Sequence, residues 1–161
     1  MPKPEIKVLL DAIDQAYNRK SWHGTNLRGS LRNVTAEEAA RRPQSGRHNI
    51  WELVVHAAYW KYIVHRRLVG APAGSFPLKG SNWFSRPGET ATEPAWKKDI
   101  ALLDDIHRSV RSAIADLNPK ALSRKPAGSK VSNLALITGI AAHDVYHAGQ
   151  IQLLKRFIRP G

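Results

Sequence analysis

The chain has 161 residues, enough for a single domain over 1–161 that buries a continuous core without a covalent staple. It contains no cysteine, which excludes disulfides, thiolate metal ligands and a cysteine nucleophile, so any metal must be held by nitrogen and oxygen. Its 25 Lys and Arg against 13 Asp and Glu give a net charge of +12. The charges are dispersed, as Arg41-Arg42, Arg66-Arg67, Lys97-Lys98 and Lys155-Arg156, and no nucleic-acid signature accompanies them. A solvated basic surface is therefore expected in preference to a specific nucleic-acid partner.

The opening M-P-K-P-E-I-K lacks an apolar signal region, and no apolar run approaches the roughly 18 residues that span a bilayer. No membrane partner is expected, and a cytoplasmic location is the default. From Pro4 to about Leu31, Ile6, Leu9, Leu10, Ile13, Tyr17, Leu27 and Leu31 follow helical spacing. They predict one long first helix, softened only at Trp22-His23-Gly24. His23 is a candidate pocket residue, although an ordinary interface side chain is the preferred reading. Thr35 and Glu38 form a T-x-x-E capping box for a short connecting helix that ends before Pro43.

Asn49, with Glu52 three residues on, starts the second long helix, which runs to Val69 before Gly70. Leu53, His56, Trp60 and Ile63 share one face of it. His48 precedes the cap and His65 is expected to face water, so neither is expected to bind metal. Residues 70–92 are rich in Gly, Pro and Ser yet carry Phe76, Trp83 and Phe84. A loop of this length often covers a site. Packing against the side of the helices is preferred here, with Trp83 and Phe84 as candidate covers and Trp60 as a further pocket residue.

The third long helix opens at Thr92-Glu93-Pro94 and is expected to reach Asn118. Trp96, Ile100, Leu103, Ile106, Val110, Ile114 and Leu117 form its buried stripe, with His107 at the margin as a reserve metal ligand. The last helix runs from Ser132 to Arg159. Ser132 or Asn133 caps it, Lys155, Arg156 and Arg159 complement its carboxyl end, and Pro160-Gly161 stops it. With no strand-like alternation, these elements predict an all-α four-helix bundle with a long loop between the second and third helices.

Within the last helix, Leu136, Ile140, His143, His147, Ile151 and Leu154 recur at steps of three and four. The i, i+4 spacing stacks His143 and His147 one turn apart, within reach of one ion at about 2.0–2.1 Å. Asp144 stands where an H-E-x-x-H helix carries its glutamate base, but it is shorter and turned about 100° from the histidine row, so it is not expected to be the base. On its own the pair fits two hydrogen-bonded core histidines as well as it fits metal. Adding His56 gives three neutral nitrogen ligands and one open position, an arrangement that leans towards chemistry and tolerates zinc, nickel or iron.

The segments H-N-I-W-E-L-V-V-H-A-A-Y-W from His48 to Trp60 and H-D-V-Y-H-A-G-Q-I from His143 to Ile151 resemble the DinB superfamily, also called DinB/YfiT-like, of bacterial helical bundles. W-H-G at Trp22, the P-L-K-G-S-N-W-F loop and the W-x-x-D-I-x-x-L of the third helix are similar to one branch of it. The resemblance implies a four-helix bundle with an unusual helix order and a divalent metal, zinc or nickel foremost, on His56, His143 and His147. It further implies a homodimer and a metal-dependent reaction, either a low-molecular-weight thiol-dependent S-transferase or a hydrolase acting on a small molecule. A non-catalytic metal-containing binding or stress-response module with a basic docking face is the alternative.

Overall fold

The computed structural model describes residues 1–159 and 161. The chain is all-α, with no strand among the described residues. In order it forms α1 (Pro4–Tyr17), α2 (Leu27–Ser30), α3 (Ala36–Ala40), α4 (Ile50–Val69), α5 (Glu93–Ala115), a 3-10 turn (Pro119–Ala121) and α6 (Asn133–Ile158). The expected stop at Pro160 lies outside the described residues.

The helix starts are set locally. Thr35 and Asn49 each accept from the backbone N–H of a glutamate three residues on, and Glu38 and Glu52 accept in return, so both capping boxes are complete. Ser132 Oγ accepts from Ala135 N–H to start α6. Gly70 closes α4 at φ 70°, a conformation that favours glycine.

The predicted first helix is broken in two. The N–H groups of Asn18 and Arg19 both donate to the Asp14 carbonyl, at 3.0 and 2.8 Å, and this ends α1. Gly24 then takes φ 105°, which no helix continues, and Asn26 caps α2 by accepting from Gly29 N–H. Leu27 and Leu31 are buried as their spacing suggested, but on a separate element that packs against α6. At the other end, α5 stops at Ala115, short of Asn118, which instead caps the 3-10 turn.

The long helices make a closed set of contacts: α4 packs against α5 and α6, and α1 packs against the same two. One apolar cluster gathers Trp51, Trp96, Leu103, Ile151 and Tyr17 around α4. A second gathers Ile6, Ile13, Val110, Ile114 and Ile137 between α1, α5 and α6. Each fully buried aliphatic side chain of this kind contributes roughly 1.5–3 kcal/mol relative to exposure. No helix among the described residues is long and apolar enough to cross a membrane.

Residues 70–92 join α4 to α5 without regular structure and are tied down at several points. Arg86 binds Asp99 of α5, whose Oδ2 also accepts from Trp51 Nε1 at 2.7 Å. Asn49 Nδ2 donates to the Arg86 carbonyl at 2.8 Å, and Phe76 and Phe84 pack with Tyr59. The segment is thereby held beside the amino-terminal half of α4, where His56 lies.

Candidate metal centre

α4 delivers His56, and two successive turns of α6 deliver His143 and His147, to one point. One ring nitrogen from each lies within 4.8 Å of the others. Nε2 of His143 is 3.2 Å from Nε2 of His56 and 3.0 Å from Nε2 of His147. These separations approach the edge of about 3.3 Å that three nitrogens share around a tetrahedral ion at 2.0–2.1 Å.

The outward nitrogens decide where the protons sit. Nδ1 of His56 is 2.8 Å from the Asn82 carbonyl, which can only accept, so His56 carries its proton there and turns a bare Nε2 inward. Nδ1 of His147 donates to Gln150 Oε1 at 2.6 Å, which bares its Nε2 in the same way. His143 Nε2 faces both and can donate to one at most. Its buried Nδ1 has no partner among the described residues. The cluster therefore cannot satisfy itself by hydrogen bonds, whereas one cation meets all three inward lone pairs, with the outward N–H groups of His56 and His147 held as metal-binding histidines hold them. The donor set fits a divalent metal.

Burial keeps the set neutral. It lowers His56 to about 4 against the opposing hydrogen bond to Asn82, and lowers His143 to about 3 with help from the other two histidines and Lys61. His147 is also lowered, again chiefly by burial. Neutral imidazole is the form that ligates.

Trp83 covers one side, slotted between two imidazoles: it stacks on His56 at 3.8 Å and on His48 at 3.5 Å. Trp60 meets His56 edge-on at 6.5 Å and donates to Asn82 Oδ1 at 2.9 Å. Beside His147 opens a cavity of about 720 Å³, mostly apolar, walled by Trp83, Tyr146, Leu153 and Phe157, with Arg47 and His48 at its polar part.

Other sequence-derived candidates lie elsewhere. Phe84 is buried against Tyr59 and Phe76 and is a core residue rather than a cover. His23 is exposed in the turn after α1 and does not line the cavity. His65 is half-buried rather than free in water. His107, the reserve ligand, is buried away from the cluster, stacked on Tyr17 at 3.6 Å and accepting from Lys61 Nζ at 3.2 Å. Asp144 is fully buried and its Oδ2 is bound to Lys61 Nζ at 2.5 Å, so it is committed to an ion pair rather than to proton transfer.

Sequence reasoning passed over three residues that the geometry makes important. Asn82 sits at φ 64°, and its S-N-W context in a Gly- and Ser-rich segment was the available signal, since asparagine tolerates this conformation. His48 was set aside because it precedes the cap, yet it stacks on Trp83 and pairs with Glu52. Lys61 carried no local signal at all.

A sequence profile of the DinB superfamily matches residues 20–151, a span that includes all three clustered histidines. No curated protein and no solved structure matches the chain.

Proposed function

The chain belongs to the DinB superfamily, and from that premise we propose that it is a metal-dependent enzyme built on one four-helix-bundle domain, with His56, His143 and His147 holding a divalent ion, zinc or nickel. The observation that carries this reading is the inward convergence of three Nε2 atoms, two of which, on His56 and His147, are left without a proton by the outward hydrogen bonds of their rings. A divalent ion held by these three histidines would lower the pKa of a thiol or water and so supply a nucleophile at neutral pH. The chain's own residues do the rest. Asn82 and Gln150 orient the imidazoles, Trp83 shields His56, and the apolar cavity beside His147 receives the body of a small substrate, with Arg47 at its rim for an anionic group.

Among the described residues the cluster holds three histidines and no carboxylate, which favours thiol-dependent S-transfer over hydrolysis. Asp144, the nearest acid in sequence, is locked to Lys61, and a thiol attacking as its anion needs less help from a general base than water does. A second copy of the chain is the partner of this reading: Tyr146, Leu153 and Phe157 are exposed along α6 and also wall the substrate cavity, so the second copy would border that cavity. The test is turnover of an electrophile by metal-loaded protein with a panel of low-molecular-weight thiols. Turnover only with thiol supports the transferase, turnover without thiol supports the hydrolase, and none with either, at full metal occupancy, leaves the non-catalytic module standing.

A further inference from the structure

On the other side of α6 lies a second groove, of about 1230 Å³, which shares no lining residue with the cavity beside His147. Lys20, Arg28, Arg32, Arg108, Lys155 and Arg159 line it, and Asp104 is its one acidic lining residue. Part of that charge is already answered: Arg28 pairs with Asp104 at 2.9 Å, Arg108 with Asp105, and Arg159 with Glu38 at 2.6 Å. Lys20, Arg32 and Lys155 have no carboxylate partner among the described residues.

Lys155 is the informative one. Its ammonium is held in place by the carbonyls of Ser30 at 3.0 Å and Arg32 at 3.4 Å, so it is positioned by dipoles but not neutralised. Burial, and after it the charge of Arg159, pushes it below the ordinary lysine range. A fixed, partly desolvated ammonium flanked by guanidinium groups is a costly arrangement when empty and a strong one around an anion. The rest of the lining is more polar than apolar and includes Ser21, Asn26 and Gln152, in contrast to the mostly apolar cavity by the histidines.

We propose that this groove is a binding site for a small polyanion, a phosphorylated or pyrophosphorylated metabolite, held by Lys155, Arg32 and Lys20. A small molecule is favoured over a nucleic-acid strand because the cations line one groove between the α1–α2 turn, α5 and α6 rather than a continuous basic strip. The volume of about 1230 Å³ is ample for a phosphorylated small molecule. Guanidinium groups at its walls suit bidentate contacts to phosphate oxygens.

The test is calorimetric titration of the full chain with inorganic pyrophosphate at about 0.15 M salt, where the Debye length of about 8 Å screens diffuse attraction. Saturable one-to-one binding is expected. Arg32→Gln/Lys155→Gln should weaken it at least tenfold, while the charge-matched Lys97→Gln/Lys98→Gln on exposed α5 positions should change it less than twofold. Because Lys155 also supports the end of α2, Lys20→Gln/Arg32→Gln, which alters only exposed side chains, provides a second test and should weaken binding at least threefold. Equal effects of the groove and control variants, no saturable binding, or groove variants that weaken a short single-stranded DNA but leave pyrophosphate unchanged would each overturn the proposal.

Discussion

The main-chain carbonyl of Asn82 accepts the Nδ1 proton of His56 at 2.8 Å, so a residue of the α4 to α5 connection fixes which nitrogen of a helix histidine faces the cluster. That carbonyl points correctly because Asn82 adopts φ 64°, a conformation that β-branched residues resist. Asn82→Val should therefore turn the carbonyl away and reduce metal affinity about 10–100-fold, the usual cost of losing an outer hydrogen bond. Asn82→Gly keeps the backbone conformation and loses only the contact to Trp60, so its affinity should stay much closer to that of the parent chain. Competition with a metallochromic chelator measures both; equal loss in the two variants would transfer the role from the carbonyl to the side chain.

The histidines also predict how the protein responds to acid. Unfolded histidine titrates near 6.5, while His56 and His143 are held at about 4 and about 3 and His107 at about 3, in each case mainly by burial. A lowered folded-state pKa means that the unfolded chain binds more protons between those values. The stability is therefore fully present above about 6.5 and is lost as pH falls towards 4 and then 3. In chelator, thermal unfolding should show a melting temperature flat above pH 7 and falling steadily below 6. Metal should survive at pH 5.5 and leave near and below pH 4, because protons compete poorly for nitrogens that the fold keeps neutral. Metal lost already at pH 6.5 would mean that the nitrogens are not so protected.

Lys61 and Asp144 form an ion pair at 2.5 Å with almost no solvent contact. Removing one partner strands the other as a buried charge, so Lys61→Met or Asp144→Leu alone should each cost about 3–5 kcal/mol. The double variant should recover much of that loss, since a buried pair replaced by apolar side chains is often neutral or better. Chemical denaturation of the metal-free forms gives the comparison. Additive single losses in the double variant would show that the two groups act independently.

Much of the architecture was legible because it is local. Thr35 with Glu38, Asn49 with Glu52, Ser132 and Gly70 announce helix ends within four residues, and the histidine spacing of α6 is carried by a single helix. The break after Tyr17 was hidden because Leu27 and Leu31 resume the apolar spacing on a new element, so the period continued where the backbone did not. The residues that complete the site were hidden for another reason. Lys61 meets Asp144 across 83 positions and the Asn82 carbonyl meets His56 across 26, and a carbonyl has no residue type to read. Phe84 and Trp83 looked alike in sequence, yet adjacent side chains of an irregular segment diverge, one to the core and one to the histidines.

That divergence separates two substitutions. Phe84 is buried among aromatic rings, so Phe84→Ala should cost about 3–5 kcal/mol of stability and leave metal content unchanged in the folded fraction. Trp83 is half-buried and stacked between His48 and His56, so Trp83→Ala should alter the substrate dependence of turnover with a much smaller loss of stability. Denaturation curves and steady-state kinetics for both variants decide it. A Trp83 variant with unchanged kinetics would make the stacking purely structural.

Metal stoichiometry tests the central claim most directly, measured on protein purified without an imidazole column for the parent chain and for His56→Ala, His143→Ala, His147→Ala and His107→Ala, with helical circular dichroism alongside. One divalent ion per chain is expected in the parent and in His107→Ala, whose imidazole is held by Lys61 and Tyr17 outside the cluster. Loss of most of the metal, with the helices retained, is expected in the other three, because the core does not depend on the ion to fold. Full occupancy in His56→Ala, His143→Ala or His147→Ala, or a parent chain that binds no metal, would contradict the three-histidine centre.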